Sequence, residues 1–436
     1  MTYEPIFLDE FNEVIQKIAL FEDNPHVAVA VSGGADSIAL MCLLNQWVKL
    51  KSGKLTVLIV DHQIRRESKN ECKFVKKIAD RKKIDCTILT WSGKKPKSKL
   101  MELARKKRYE LILNYCKKYK ILHLMIGHHF DDKLETFYMR SLRNGNIIGL
   151  SSIPWIREDS SLRIIRPFLN FPKERLIQTC KYFDYKWLDD PSNKNEKYER
   201  VRVRNEIKKL SENEIKELIK KNKFYIKRRI IYEEKISYFF VNHLKFDQFG
   251  RFSFKQRDFI KLNDELKIEV IKRILTTNSG SDYPPRKKPI EEIIKIIMTN
   301  NSFKFTLNSN IVTSNRNLIS FTRESYVTQM MMKDGIYVNP GETKLWDNRF
   351  EVLSSKNKIF CSKISLENWD FINKFFFNSE KRKISFEIIK TLPLINLSKI
   401  YLIPFISSSL ELKKNGIKFR FSTKRPITTN KFLIIN

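Results

Sequence analysis

Hydrophobic positions in the first third of the chain follow a repeating order of strand-like and helix-like patterns. From residue 26 to about residue 144, short apolar runs are each followed by a turn and then by a stretch with helical periodicity. Strands that are apolar on both faces and alternate with helices are typical of a parallel sheet covered by helices on both sides. Ligands of such folds bind at the carboxyl ends of the strands. The predicted strands are the runs HVAVAV, LTVLIVDH, CTILTW and ILHLMIGH.

The pattern changes after this region. Residues 145–195 are irregular and contain four prolines, whereas residues 196 to about 300 show helical periodicity with many basic side chains. We predict a hairpin in FKFTLNSNIVTSNRNLISFTRE and a boundary near NPGETKLWD, after which short β-rich runs alternate with basic turns. The sequence therefore predicts an α/β domain over residues 1–212, a mainly helical domain over 213–325 and a small mixed α/β domain over 326–436.

The charge of the chain points to a polyanionic partner. The 83 Lys and Arg residues outnumber the 49 Asp and Glu residues, which gives a formal net charge of +34. A charge this large attracts polyanions strongly over about 8 to 10 Å at physiological salt. A compositional bias that loads exposed helices with lysine would produce the same excess. The charge thus favours RNA or DNA as a partner without distinguishing between them.

The cysteines and the hydropathy pattern bear on the compartment. The six cysteines are scattered and form no C-x-x-C pair, which argues against zinc ribbons, redox pairs and a disulfide framework. Acidic residues occur early in the chain, and no run of about 18 apolar residues is present. We expect a cytoplasmic protein with no signal peptide and no membrane partner. The cysteines are Cys42, Cys72, Cys86, Cys116, Cys180 and Cys361.

A glycine-containing turn between the first predicted strand and helix has the composition of a phosphate-binding loop. Its two glycines permit close approach of a ligand, its serines add hydroxyl groups, and the following helix N-terminus attracts anions. No lysine follows the glycines, so the segment is not a GxxxxGK[ST] loop. An aspartate beside a phosphate is explained if Mg²⁺ lies between them; the alternative is an ordinary turn in which the aspartate caps the helix. The segment consists of Ser32, Gly33, Gly34, Ala35, Asp36 and Ser37.

A second polar cluster, GHHFDDKLET, follows the strand ILHLMI. If the helix begins near His129, Asp131 and Glu135 share one face, and His128 and Asp132 share another. These carboxylates could complete a magnesium site begun by Asp36. The alternative is an acidic first turn that complements the helix dipole. Zinc is not supported, because no third ligand has the spacing of a zinc site.

Arginines recur in three further segments. Arg105 and Arg108 lie three residues apart in LARKKRYELI, and Arg200 and Arg204 lie one helical turn apart in ERVRVRNEI. Planar guanidinium groups suit phosphates, so contact with a nucleotide or an RNA backbone is one interpretation, and a solvated basic helix face is the other. Arg143 precedes NGNIIGLSSI, a segment that fits either a substrate loop or a connector.

Taken in order, these segments resemble the tRNA(Ile)-lysidine synthase family of N-type ATP pyrophosphatases, within the PP-loop superfamily. SGGADS is shared by the whole superfamily, whereas VDHQIRRES, ARKKRY, GHHFDDKLET, RPFL and DPSNKNEKYERVRVR resemble motifs of the family itself. The resemblance covers about the first 205 residues, and KLWDNRFEV resembles a W-D-x-R-F element of longer members. Two departures concern substrate positioning: Asn195 stands where an acid is usual, and RNGNIIGLSSI is looser than the family's glycine-rich segment.

The resemblance implies a fold of the adenine nucleotide alpha hydrolase type and a two-step reaction. The wobble cytidine of a tRNA(Ile) with a CAU anticodon is adenylated at C2 with ATP and Mg²⁺, and free L-lysine then displaces AMP. Residues 1–212 would form the catalytic domain, and the domains over 213–325 and 326–436 would bind tRNA. The interpretation leaves room for a homodimer.

The resemblance also implies roles for individual residues. The SGGADS loop would bind the pyrophosphate of ATP, and Asp36 and Asp132 would hold magnesium, with Asp131 as the alternative ligand. Arg108 would contact a phosphate or the RNA, and with Asp36 and Asp132 it completes the predicted catalytic set. The arginines predicted to contact tRNA are Arg105, Arg143, Arg200 and Arg204.

Two other functions fit parts of the same pattern. A tRNA-thiolating enzyme of the superfamily also adenylates a base carbonyl, but it generally needs a cysteine pair or a well-placed nucleophile. A non-catalytic RNA-binding protein could retain an ATP site as a relic. The activity of a thiolating enzyme would depend on the cysteines, whereas the function of a non-catalytic RNA-binding protein would tolerate substitution of Asp36.

Overall fold

A computed structural model of the chain describes residues 3–64, 67–93, 95–96, 98, 100–143, 145–159, 162–189, 195–281, 283–300, 302–365, 385–397 and 400–428. These residues form two compact units, the first through Glu233 and the second from Glu234. The predicted three-domain division stays a prediction. None of the described helices combines the length and apolar composition needed to cross a membrane.

A six-stranded sheet forms the centre of the first unit, with strand order β3-β2-β1-β4-β6-β5. All neighbouring strands are parallel except the edge pair β5 and β6. The predicted parallel sheet and its four strands are confirmed, whereas the edge hairpin falls in a region that we predicted to be irregular. The strands are β1 (His26–Ala30), β2 (Lys54–Asp61), β3 (Asp85–Thr90), β4 (His123–Ile126), β5 (Ile156–Asp159) and β6 (Leu162–Ile165).

Helices cover both faces of this sheet. Val27 and Val29 of β1 pack into one hydrophobic cluster, and Ala28 between them packs into another, so alternate residues of the strand face different layers. The helices are α1 (Leu8–Ile18), α2 (Ala35–Leu50), α3 (Ser68–Arg81), α4 (Leu100–Lys118), α5 (Phe130–Leu142), α6 (Ile147–Leu150), α7 (Lys173–Tyr182), α8 (Glu199–Ile207) and α9 (Glu212–His243), within which the boundary between the units falls.

The strand order creates a crevice between β1 and β4. The chain leaves β1 through α2 to reach β2 on one side, and it later returns to β4 on the other side of β1. Ligands of open α/β sheets bind outside the carboxyl ends of the strands at such a point. The SGGADS loop follows β1 and the GHHFDDKLET segment follows β4, so both lie at this crevice.

The second unit combines short helices with three small sheets. Its sheet orders are β7-β8-β11-β10-β9, β12-β15-β16-β17 and β13-β14-β18. The hairpin predicted from residue 303 has three antiparallel strands, β9 to β11. The elements are β7 (Lys245–Phe246), β8 (Phe252–Lys255), α10 (Gln256–Ile260), α11 (Asp264–Ser279), α12 (Lys287–Thr299), β9 (Phe303–Leu307), β10 (Asn310–Asn315), β11 (Leu318–Arg323), α13 (Ser325–Met331), β12 (Ile336–Val338), β13 (Thr343–Trp346), β14 (Phe350–Ser354), β15 (Ile359–Ser362), α14 (Phe386–Ile389), β16 (Leu394–Leu397), β17 (Ile400–Leu402), α15 (Ser409–Lys414) and β18 (Ile417–Phe421).

The WDNRF segment of the second unit is buried. Asp347 accepts hydrogen bonds from Nε of Arg349 at 2.8 Å, from Nε and an η nitrogen of Arg323 at 3.0 and 2.7 Å, and from the Thr328 hydroxyl at 2.7 Å. Trp346 donates through Nε1 to the carbonyl oxygen of Thr391 at 3.0 Å. These side chains are almost fully buried, so they act inside the unit rather than at its surface.

Candidate active site

The SGGADS loop is held in shape by its own serines. Ser37 donates from its hydroxyl to the carbonyl oxygen of Gly34 at 3.0 Å, and the backbone N–H of Ser32 donates to the same hydroxyl at 3.2 Å. Gly33 has φ of +93°, and a Cβ there would lie 3.2 Å from a methyl group of Leu188. Glycine is therefore needed at position 33 for its backbone conformation.

Gly127 brings the two motifs together. An added Cβ at this position would lie 2.9 Å from the backbone oxygen of Asp36 and 3.2 Å from the backbone nitrogen of Ser37. The segment after β4 therefore passes directly against the first turn of α2, and only a glycine fits between them. We had not singled out Gly127 in the sequence, although its place in the G-H-H motif was the available signal.

A histidine lies among three carboxylates at the N-terminus of α5. His129 is buried, and its Nδ1 lies 3.1 Å from an oxygen of Asp131. Its Nε2 lies 3.6 Å from Asp132 and 3.7 Å from Asp36. Carboxylate hydrogen bonding and the charges of the three acids raise the pKa of His129, although burial alone would lower it. The structure thus brings together the three acids predicted to bind metal around a histidine to which we had given no role.

The three carboxylates are not equivalent. Asp131 also accepts from the backbone N–H of Lys173 at 2.9 Å, and Asp132 accepts from the backbone N–H of His129 at 3.0 Å, as an acidic first turn would. Burial raises the pKa of Asp36, although the charges of His129 and Lys173 oppose this. Asp131 and Asp132 have lowered pKa values, because hydrogen bonds and nearby cations outweigh burial.

One carboxylate oxygen of Asp36 has no positively charged or hydrogen-bonding partner. Its Oδ1 is buried and has no hydrogen-bond partner, so Asp36 does not act as a helix cap through this atom. Within the described part of the chain, no group of three or more His, Cys, Asp or Glu side chains is arranged to hold a metal ion by itself. Mg²⁺ in nucleotide sites uses one or two carboxylates together with phosphate oxygens and waters, so Asp36 and Asp132 fit such an ion. The magnesium ligands stay a prediction.

Arg200 and Arg204 bind buried carboxylates rather than projecting freely. Arg200 donates to Asp132 at 2.7 Å and to Glu135 at 2.7 Å, and Arg204 donates to the other oxygen of Glu135 at 2.6 Å. Glu135 is 2% exposed, so its charge is compensated almost entirely by these two arginines. They join α8 to α5 and hold Asp132 in place. Their predicted contact with tRNA stays a prediction.

The remaining predicted arginines lie outside this network. Nε of Arg108 lies 3.4 Å from Nε2 of His62, which follows β2. Arg105 lies over the ring of Tyr109 at 5.5 Å from its centre. Arg143 is well exposed and donates to Glu199 at 2.6 Å. Their predicted roles are untested by these contacts.

Two segments that depart from the family motifs are locally ordered. Asn195 accepts a hydrogen bond from the backbone N–H of Lys197 at 3.0 Å, which an acid could equally accept. In the segment after residue 144, Asn146 caps α6 by accepting from Gly149 at 2.9 Å, and Arg140 donates to the carbonyl oxygens of Gly149 and Ser152 at 2.8 and 3.2 Å. The connector is thus fixed to α5.

None of the six cysteines has the environment of a reactive thiolate. All are free, five are buried and Cys86 is half-buried. Burial raises the pKa of Cys42, Cys72 and Cys86 to about 11, and that of Cys116, Cys180 and Cys361 to about 12. Since the thiolate is the nucleophile, these thiols do not support a sulfur-transfer reaction.

Comparison with known proteins agrees with this geometry. The PP-loop domain family matches residues 4–211, which include Asp36, Asp131, Asp132, Glu135, Arg200 and Arg204. A tRNA(Ile)-lysidine synthase of Orientia tsutsugamushi (strain Boryong) is 32% identical over 432 residues, covering 94% of this chain and 96% of that protein. The corresponding synthases of Rickettsia felis and of a Wolbachia endosymbiont of Brugia malayi are 32% and 31% identical and cover 87% and 78% of this chain, and 89% and 79% of their own. Identity at this level over nearly the whole length means that the chain belongs to the tRNA(Ile)-lysidine synthase family of PP-loop, ATP-using proteins.

Proposed function

We propose that this chain converts the wobble cytidine of a tRNA(Ile) with a CAU anticodon to lysidine, using ATP and free L-lysine. The observation that carries the proposal is the buried, unpartnered oxygen of Asp36, which lies at the end of a glycine loop beside the acidic turn of α5. A site with an unmet requirement for a cation, next to backbone N–H groups at a helix N-terminus, suits Mg²⁺ with the phosphates of ATP. The family of its relatives supports tRNA as the second substrate.

In the first step, the C2 carbonyl oxygen of the cytidine attacks the α-phosphorus of ATP. A phosphorus–oxygen bond forms to the base, and the bond to the leaving pyrophosphate breaks. The loop of Ser32, Gly33, Gly34 and Ser37 would bind the pyrophosphate through its backbone N–H groups. Asp36 and Asp132 would hold Mg²⁺, which supplies charge stabilisation to the phosphates when bound. Arg200 and Glu135 keep Asp132 oriented for that role.

In the second step, the ε-amine of lysine attacks C2 of the activated base and AMP leaves with the electrons of the carbon–oxygen bond. The amine must be neutral to attack and gives up a proton during the step. Carboxylates near the crevice are suited to accept that proton. Adenylation and attack by lysine are separate steps, so pyrophosphate release and lysine incorporation can be measured independently.

The basic residues outside the site would bind the tRNA backbone. We assign Arg105, Arg143 and the second unit to this role, and we keep Arg108 as a contact to phosphate or RNA. The affinity for tRNA should then fall steeply with salt, and each lost phosphate contact should reduce the log-log slope by about one. A cytoplasmic location belongs to the same proposal, since tRNA, ATP and lysine all occur in the cytoplasm, and a homodimer is proposed with it.

The experiment that tests the function is direct. The full chain is incubated with ATP, labelled lysine and an unmodified tRNA(Ile) transcript, and label in the RNA is measured. We expect one lysine per tRNA, with equal release of AMP and pyrophosphate. A tRNA(Met) transcript with the same CAU anticodon is the matched control and should remain unlabelled.

Three results would overturn the proposal. An active preparation that makes pyrophosphate but leaves lysine free would exclude lysidine formation. Activity that disappears when all six cysteines are replaced by serine in a folded chain would instead favour thiolation. A chain that binds tRNA but never consumes ATP would be an RNA-binding protein only.

A further inference from the structure

Arg166 contacts the active site through a histidine that neither ion-pair network uses. It follows β6, is 4% exposed, and belongs to the RPFL segment, to which we gave no role. Its Nε donates to Nδ1 of His128 at 3.2 Å, and an η nitrogen donates to the carbonyl oxygen of Pro154 at 2.7 Å. The backbone N–H of Arg166 donates to Trp155 at 3.0 Å. The guanidinium group is therefore held at both ends.

This contact fixes where the proton of His128 lies. Arginine can only donate, so Nδ1 of His128 must be the acceptor and cannot carry a hydrogen. A neutral imidazole has one N–H, which must then be on Nε2. Burial lowers the pKa of His128 to about 3, so the ring is neutral at physiological pH.

The other edge of His128 is available to a ligand. Nε2 makes no hydrogen bond to any described residue, and it is not among the buried polar atoms that lack a partner, so it retains contact with solvent. His128 lies between Gly127, which passes against the backbone of Asp36, and His129, which lies near Asp36 and Asp132, so it belongs to the segment that lines the crevice. The parallel pairing of Met125 with Ile165 places His128 and Arg166 at the same edge of the sheet.

We propose that Arg166 is a positioning residue that holds His128 as a hydrogen-bond donor through Nε2 to an oxygen of the phosphate that reacts. The proposal rests on the proposed function, because the adenylation step is what makes the α-phosphate of ATP the reacting group. A neutral donor fixed before the reaction stabilises developing charge without reorganisation. Asp132 and Asp36 would hold the cation on one side of the nucleotide, and His128 would supply a neutral donor on another.

The first test measures the proton position without any substrate. The full chain is labelled with ¹⁵N and ¹³C in its histidine rings, and the His128 signal is assigned by its loss in His128→Gln. We expect hydrogen on Nε2 alone in the unchanged chain and in Arg163→Met, a control on the same strand whose side chain donates to Leu20. In Arg166→Met we expect a mixture of the two tautomers. An unchanged tautomer in Arg166→Met would overturn the proposal.

The second test measures pyrophosphate release in a single turnover. Arg166→Met should reduce kcat about 10- to 100-fold, with little change in the KM for ATP, as loss of an orienting partner typically does. In a His128→Gln background the same change should cost less than about 2-fold, because coupled residues are not additive. An equal loss in both backgrounds would show that Arg166 does not act through His128 and would overturn the proposal.

A third variant pair applies if Arg166→Met does not fold. Glutamine places an N–H near the position of Nε2, and asparagine places one near Nδ1. His128→Gln should therefore keep at least about ten times the pyrophosphate release of His128→Asn. Equal activity of the two would overturn the proposal. A correct tautomer in a chain that releases pyrophosphate but incorporates no lysine would instead count against the proposed function alone.

Discussion

Two aspartates, one in each unit, have opposite environments. Asp36 in the first unit has a buried oxygen with no donor, and burial raises its pKa. Asp347 in the second unit receives four hydrogen bonds from Arg323, Arg349 and Thr328, and its side chain is 0% exposed. Both residues lie in segments that resemble family motifs, SGGADS and WDNRF. Only one of the two still requires a partner.

The difference in hydrogen bonding distinguishes a carboxylate suited to bind a ligand from one that stabilises the fold. A buried carboxylate oxygen without a partner is unfavourable unless a ligand binds it. The unpartnered oxygen of Asp36 is therefore suited to a cation bound together with the substrate. A carboxylate that is fully hydrogen-bonded has no capacity left for a ligand, and its loss would leave buried cations behind. The resemblance to family motifs includes both Asp36 and Asp347 and does not distinguish their roles. The environment of each side chain is consistent with the proposed role of Asp36 in the reaction and with a structural role of Asp347 in the second unit.

The largest effect is expected for Asp36→Asn. The amide cannot replace a negative ligand to Mg²⁺, so pyrophosphate release should fall on the order of 10⁴-fold. Binding of tRNA should be retained and the thermal unfolding temperature should not fall, because the change is isosteric and removes a charge that burial disfavours. Single-turnover kinetics, filter binding and calorimetry measure these quantities. Release at the unchanged rate would remove Asp36 from the metal site.

The converse result is expected for Asp347→Asn. The change leaves the buried guanidinium groups of Arg323 and Arg349 without their anion, so the free energy of unfolding should fall by about 3–5 kcal/mol. Burial already lowers the pKa of Arg349 to about 10, and two of its nitrogens have no partner even with Asp347 present. Denaturant unfolding measures the loss. At a temperature where the variant is folded, pyrophosphate release should be within about 2-fold of the unchanged chain, and a selective loss of catalysis would break the comparison.

The sequence predicted what depends on local order. The strands and the glycine turn could be predicted because apolar periodicity and left-handed glycine conformations are properties of short segments. The ion pairs of Glu135 with Arg200 and Arg204 join residues that are 65 and 69 positions apart in the chain. No pattern within a short segment predicts such contacts. The predicted contact of the ERVRVRNEI arginines with tRNA is independent of these ion pairs and stays a prediction. The edge hairpin at β5 and β6 was missed because prolines flank it and charged residues interrupt its apolar alternation.

The pH dependence of stability should have opposite signs for two acids of the same site. In the folded chain the pKa of Asp36 is raised above its ordinary value of 3.8, so its contribution to stability is full below that pH and is lost as the pH rises through the folded value. The pKa of Asp131 is lowered, so its contribution is present above pH 3.8 and is lost as the pH falls through the folded value. The pH windows therefore differ.

Variants of these two acids measure that difference. With Mg²⁺ and nucleotide removed, Asp36→Asn should gain stability over the unchanged chain as the pH rises from about 4 to about 7. Over the same range the stability deficit of Asp131→Asn should stay constant, and it should shrink only as the pH falls below about 4. Thermal unfolding at a series of pH values gives both curves. Parallel curves would mean that the two carboxylates have the same environment, contrary to their hydrogen bonds.

The smallest effect is expected for Thr328→Val in the second unit. Its hydroxyl is one of four donors to Asp347, so its loss leaves the carboxylate with three hydrogen bonds and both of its ion pairs. The free energy of unfolding should fall by about 1.5–3 kcal/mol, which is the typical contribution of one hydrogen bond to a charged group. Thr322→Val, at the partly buried neighbour of Arg323 on β11, is the matched control and should cost less. A loss as large as that of Asp347→Asn would mean that Asp347 depends on every donor, whereas a graded loss is what a fully satisfied carboxylate requires.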